Sequence, residues 1–141
     1  MPTNRTFTMI KPDAVSDGFS GPIIQQIEEA GFKIIALKKI KLSPEEAGNF
    51  YEVHKERPFF QSLCDYMSSG DIIPMVLEKE NAVAEWRKAM GPTNPADADA
   101  GTIRARYGKN IGDNATHGSD SLDSSERERN IFFPNSGGCC C

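Results

Sequence analysis

Arg5-Thr6-Phe7-Thr8-Met9-Ile10-Lys11-Pro12-Asp13 is the stretch from which the fold is read. Residues 5–10 alternate, with Phe7 and Met9 on one face, which predicts a β-strand that Lys11-Pro12-Asp13 ends. Ser20-Gly21-Pro22 then opens a helix, with Ser20 expected at the N-cap and Pro22 tolerated in the first turn. Ile23, Ile24, Ile27 and Ala30 form its apolar stripe, and Gly31 suits the C-terminal cap. Residues 32–42 read as a second strand whose lysines, at 38, 39 and 41, expose its far end.

Working outward, Ser43-Pro44-Glu45-Glu46 is a capping box, and Ala47, Phe50, Tyr51 and His54 follow at helical spacing. Arg57-Pro58-Phe59-Phe60 restarts the chain into a helix with Phe60, Leu63 and Met67 inward. Residues 72–77 are a third strand, in which Pro74 argues for an edge or a bulge. Asn81 caps a helix carrying Val83, Trp86 and Met90, closed by Gly91-Pro92. A long loop at about 91–115 precedes the His117 segment, and a last helix starts near 122. The order predicts an α+β fold: a ferredoxin-like split β-α-β, with a four-stranded antiparallel sheet covered by helices.

The chain has 141 residues, room for one domain with a substantial core. We expect that domain over 1–135 and a flexible Gly/Cys tail over 136–141, where Cys139, Cys140 and Cys141 have neither prenylation nor zinc-site spacing. No apolar run approaches the ~20 residues of a membrane span, and the polar N-terminus leaves no room for a secretory signal. A cytoplasmic protein without membrane association is expected. The formal net charge of -4 speaks against a general nucleic-acid binder, so an anionic ligand needs a local cluster. Lys11, Arg87, Arg104 and Arg106 are the candidates.

Kinase glycine loops and zinc spacings are absent from the sequence, and Ser119 lacks a nucleophile-elbow context. What stands out is Asn114-Ala115-Thr116-His117-Gly118-Ser119-Asp120-Ser121, an imidazole among small polar residues that no apolar side chain crowds. An imidazole, with its ordinary pKa near roughly 6.5, is a competent nucleophile at neutral pH. Glu128, eleven residues on, could hold one ring nitrogen and free the other, although Glu126-Arg127-Glu128-Arg129 equally reads as a solvated charge run. Arg87 and Arg104 could fork onto phosphate oxygens. Phe59 could be a stacking platform, and Tyr51 reads as core with its hydroxyl at the rim.

In combination these segments carry a resemblance. Arg5-Thr6-Phe7, Ile10-Lys11-Pro12-Asp13, Glu56-Arg57-Pro58-Phe59-Phe60, Met90-Gly91, Thr93-Asn94-Pro95-Ala96, Gly101-Thr102-Ile103-Arg104 and 114–121 resemble the nucleoside diphosphate kinases over residues 4–134. The resemblance implies ping-pong transfer of the γ-phosphate of a nucleoside triphosphate, typically ATP, to a nucleoside diphosphate through a phosphohistidine at His117. It implies Glu128 and Ser119 as supports of that histidine and Tyr51 beside the phosphoryl path. Lys11, Arg87, Thr93 and Arg104 map to the phosphates, Asn114 and Lys11 to the ribose, and Phe59 and Ile111 to the base. It implies Mg²⁺ carried by the phosphates rather than by side chains, and a homo-oligomer, tetramer or hexamer with a dimer as the smaller option. Arg129 and Asn130 depart from the family, which usually has apolar residues there. A nucleotide-binding regulatory module without turnover and a phosphohistidine donor to protein partners are the competing readings.

Overall fold

A computed structural model describes residues 4–134. β1 (Arg5–Ile10) lies inside an antiparallel sheet between β4 (Asp71–Glu78) and β5 (Thr116–Gly118), and β2 (Lys33–Leu37) flanks β4 on its far side. The strand order β2-β4-β1-β5 is that of the split β-α-β arrangement. Helices α1 (Pro12–Ser16), α2 (Ser20–Glu29), α3 (Pro44–Phe50), α4 (Phe60–Met67), α5 (Ala82–Met90), α6 (Ile103–Tyr107) and α7 (Leu122–Phe132) complete it.

Both faces of the sheet are covered. Ile10, Ile73, Met75 and Leu77 pack with Ile23 and Ile27 of α2 and with Trp86 and Met90 of α5. Phe7, Met9 and Ile72 pack with Phe50 of α3, Met67 of α4 and Phe132 of α7. Neighbouring strand residues point to opposite layers, so β1 and β4 are almost continuously buried despite their alternation.

Several local expectations change. The expected strand over 32–42 is broken into β2 and the two-residue β3 (Ile40–Lys41), which both pair with β4, and β2 has a register shift between Ile34 and Ala36. Pro74 is therefore in an interior strand. Its carbonyl accepts from Lys38 N at 3.2 Å, beside the break between β2 and β3. In a strand the N–H and C=O of one residue point the same way, so its missing donor falls where the ladder is already interrupted. Phe19, not Ser20, is the N-cap of α2, with no side-chain cap bond, and Ala30 is exposed rather than part of the stripe. Asn81 precedes α5 with φ 58° and makes no side-chain cap bond. The capping box at Ser43 forms as expected. α3 stops at Phe50, and Glu52–His54 continue as a short 3-10 turn. The long loop is not structureless: it holds a 3-10 turn at Pro95–Asp97 and α6, which Thr102 caps through Ala105 N.

Candidate active site

His117 stands in the middle of β5, paired with Met9 of β1, and its carbonyl accepts from Thr8 Oγ1 at 2.6 Å. Sheet hydrogen bonding thus fixes its backbone. Gly118 is needed beside it because α5 approaches closely: a Cβ there would lie 2.8 Å from Trp86 Cδ1. The imidazole packs against Phe50 at 5.3 Å and Tyr51 at 6.3 Å between ring centroids.

Glu128 reaches that ring from α7. Its Oε1 lies 3.0 Å from His117 Nε2 and accepts from Ser119 Oγ at 2.8 Å. The carboxylate is buried, and two donors converge on one of its oxygens. With Nε2–H donated to Glu128, the imidazole carries its lone pair on Nδ1, which makes no hydrogen bond among the described residues. The departures at Arg129 and Asn130 do not displace the helix. Asn130 is exposed, and Arg129 bonds Ser125 Oγ at 3.3 Å along its own helix. α7 is tied down elsewhere, by Phe132 stacked on Phe7 at 5.4 Å, by Ser125 Oγ donating to Arg5 O, and by Arg127 donating to the carbonyls of Asn49 and Phe50. Lys38 Nζ donates to Phe132 O at 2.6 Å, closing the last turn.

His117 and Glu128 line a cavity of about 590 Å³ together with Lys11, Tyr51, Arg87, Thr93, Arg104, Ile111 and Asn114. A second cavity of about 660 Å³, between Phe59 and Ile111, shares Lys11, Thr93 and Ile111 with the first. Phe59 and Ile111 are exposed apolar side chains at 49% and 61%, so the cleft has an open apolar mouth. Arg106 is not part of either; it bonds Gln26 Oε1 on the outer surface.

The cationic wall is preorganised. Lys11 is buried, contrary to an ordinary surface lysine, and donates to Asn114 Oδ1 at 2.8 Å, while Asn114 Nδ2 donates to Thr93 O at 3.0 Å. Burial, and then the charge of Arg104, push the Lys11 ammonium down to about 8. Arg104 is held by Gly91 O and Thr116 O at 3.1 and 2.7 Å, and burial followed by the charge of Arg87 lowers it to about 10. Arg104 thus disfavours the Lys11 charge and Arg87 the Arg104 charge, an arrangement suited to binding an anion.

Tyr51 departs from expectation. Its hydroxyl is fully buried, with no hydrogen-bond partner among the described residues, rather than at the rim, and burial, with Glu128 beside it, pushes its pKa up. Sequence reasoning did not single out Phe50, Asp120, Ser124 or Arg127, which also line the first cavity. Ser124 Oγ donates to Asp120 Oδ1 and accepts from Asp120 N and Ser121 N, fixing the start of α7. The pattern Ser121-x-x-Ser124 is a capping signal that uses serine where glutamate is the familiar partner.

A family model described as nucleoside diphosphate kinase matches residues 4–137. The chain belongs to the nucleoside diphosphate kinase family. It is 57% identical over 129 residues to the nucleoside diphosphate kinase of Trichlorobacter lovleyi, covering 92% of this chain and 94% of that one. The Persephonella marina nucleoside diphosphate kinase is 52% identical, with 94% and 95% covered. Among solved structures, the Aquifex aeolicus nucleoside diphosphate kinase superposes with a TM-score of 0.91 at 44% identity, covering 92% of this chain and 94% of the other. A halophilic nucleoside diphosphate kinase from Halobacterium salinarum, solved in complex with CDP, gives 0.88 at 40% identity, with 93% and 88% covered. As a member of the nucleoside diphosphate kinase family the protein is a phosphotransferase with the α+β, ferredoxin-like architecture expected. Among the described residues no helix is long and apolar enough to cross a membrane, and no cluster of three or more His, Cys, Asp or Glu could hold a metal ion.

Proposed function

We propose that the protein transfers the γ-phosphoryl group of a nucleoside triphosphate to a nucleoside diphosphate in two displacements at His117. The Nδ1 lone pair attacks the γ-phosphorus, the bond to the β–γ bridging oxygen breaks, and the diphosphate leaves. A second diphosphate enters, its β-phosphate oxygen attacks the same phosphorus, and the P–N bond breaks. One observation carries this reading: Nε2 is engaged by Glu128 while the ring lines a cavity walled by Lys11, Arg87 and Arg104. Phosphoryl transfer needs little beyond an aligned nucleophile and charge stabilisation.

Glu128, oriented by Ser119, holds the imidazole in the tautomer that leaves Nδ1 nucleophilic. Lys11, Arg87, Thr93 and Arg104 take the phosphates, Asn114 with Lys11 the ribose hydroxyls, and Tyr51 flanks the phosphoryl path. Phe59 and Ile111 clasp the base. Mg²⁺ fits as a passenger of the nucleotide: among the described residues Asp120 and Glu128 are the only carboxylates lining the first cavity, and Ser124, Ser119 and His117 already engage them. When bound it would offset the charge of the phosphates. The domain over 1–135 is the proposed working unit, and the cytoplasm its proposed location; the tail proposed over 136–141 lies outside the described residues. A homo-oligomer is proposed because β2 leaves one strand edge open with Leu37 46% exposed, a surface that a second copy can cover.

Incubation with γ-labelled ATP and Mg²⁺ tests the reading. We expect an acid-labile, base-stable label that any nucleoside diphosphate discharges. No label, or one that diphosphates cannot remove, refutes it. The same experiment decides the two competing readings, since a binding module takes no label and a phosphohistidine donor dedicated to proteins keeps a label that diphosphates do not discharge.

A further inference from the structure

We propose that Asp13 and Tyr66 form a clamp that holds Ala115 in a left-handed backbone conformation and thereby positions Asn114 and His117 on either side of it. The inference deepens the reading of His117 as nucleophile and rests on it. Ala115 is fully buried with φ 75°, a region that alanine adopts only under constraint because its Cβ crowds the carbonyl. Thr116 N donates to Asn114 O at 2.9 Å, closing a three-residue turn about Ala115, and two further hydrogen bonds tie that turn to the start of α1. Ala115 N donates to Asp13 Oδ2 at 3.2 Å, and Ala115 O accepts from Lys11 N at 2.8 Å.

The carboxylate that takes the Ala115 N–H is itself oriented. Tyr66 Oη donates to Asp13 Oδ1 and accepts from Asp13 N at 3.2 Å. Asp13 sits in the first turn of α1 and Tyr66 near the end of α4, so two helices anchor a loop residue. Asp13 lines neither cavity, and Tyr66 lines the second while its hydroxyl is engaged by Asp13.

The position of the clamp gives it a function. Asn114, just before Ala115, is bonded to Lys11 Nζ; Thr116, just after, enters β5 opposite Ile10, and His117 follows opposite Met9. The left-handed residue is the joint between the ribose-phosphate corner and the strand that carries the nucleophile. If it relaxed to negative φ, Asn114 would leave Lys11 or β5 would lose its register. Asp13 and Tyr66 are positioning residues, acting through Ala115.

Glycine adopts positive φ without a clamp, and this separates positioning from general stability. We measure the single-turnover rate of labelling from γ-labelled ATP at saturating concentration, with the melting temperature in parallel. Asp13→Ala is expected to slow labelling by tenfold or more. Asp13→Asn, which keeps an acceptor for Ala115 N–H, should stay within about threefold of the parent, as should Tyr66→Phe. Adding Ala115→Gly to Asp13→Ala should recover at least half of the lost rate on a logarithmic scale without raising the melting temperature. Should Asp13→Ala fail to fold, Tyr66→Phe with and without Ala115→Gly is compared instead, with a loss of about twofold to threefold that glycine restores. A rate for Asp13→Ala within twofold of the parent, or a loss that Ala115→Gly leaves unchanged, overturns the clamp. A parent protein that takes no label refutes the phosphohistidine reading instead, so the two failures are told apart.

Discussion

Glu128 gives one oxygen to two donors, His117 Nε2 and Ser119 Oγ, and the histidine is the one proposed to react. Its loss should affect orientation more than binding. Glu128→Ala is expected to lower the rate of His117 labelling by about a hundredfold, the cost of misplacing a reacting group by roughly an ångström, with a smaller change in nucleotide KM. Ser119→Ala should cost less than tenfold, because Glu128 keeps its histidine. Rapid-quench labelling at saturating ATP checks both. Lys11 makes a pH-dependent prediction. Burial and Arg104 bring it to about 8 from 10.5, so in the free protein it loses its proton well before an exposed lysine would. Because the charged form is the one disfavoured by folding, the free protein gains stability as pH rises from about 8 towards 10.5. A bound polyphosphate reverses the preference, so ADP binding at pH 8.5 should take up a proton and weaken as pH rises further. Calorimetric titration in two buffers of different ionisation enthalpy measures the uptake; identical apparent enthalpies would contradict it. At this scale His117 was legible from its small polar neighbours in sequence, although the expectation that no apolar side chain crowds it fails: Phe7, Phe50 and Tyr51 from other elements pack against the ring. Glu128 was not. In Glu126-Arg127-Glu128-Arg129 nothing local separates a buried carboxylate from a solvated one, since the choice depends on which face of α7 meets β1.

The element that decides the site is α7. It has a polar sequence, yet Phe132 at its end stacks on Phe7 and is buried. Phe132→Ala should cost about 3–5 kcal/mol of stability, typical of a buried phenylalanine, and should also slow labelling because Glu128 rides on the same helix. Denaturant unfolding and labelling rates together check this; a destabilised protein with the parent rate would mean that the first turn alone orients Glu128. The first strand and helix were legible because Phe7 and Met9 alternate and Ile23 and Ile27 repeat at helical spacing. The strand over 32–42 was read too long because the break between Leu37 and Ile40 is set by its partner β4, not by its own residues. The interior place of Pro74 was illegible for the same reason. α6 hid in a glycine- and proline-rich stretch, although Thr102 at its start is an ordinary capping residue that could have revealed it.

Across the whole molecule, an acidic chain concentrates Lys11, Arg87 and Arg104 on one cavity and leaves an apolar cleft beside it. In the proposed reading a base held between Phe59 and Ile111 is gripped by surface rather than by hydrogen-bond pattern. Diphosphates of guanosine and cytidine should therefore differ by less than about tenfold in kcat/KM, measured by coupled assay; a larger ratio would point to a polar contact with the base. The open edge of β2 predicts assembly, which sedimentation equilibrium checks: a mass at or above twice 15.5 kDa is expected, and a monomer at micromolar concentration would contradict it. The arrangement of strands and helices was legible from their order along the chain, whereas the cavity was not, because its walls come from loops that meet only after the sheet has formed. The most direct measurement is ³¹P NMR of the protein after reaction with ATP and Mg²⁺ and removal of nucleotide. A single phosphohistidine at Nδ1 of His117, absent from His117→Ala, is predicted. Phosphorus on Nε2, on Ser119 or on His54 would contradict the assignment of Glu128 as the group that leaves Nδ1 free.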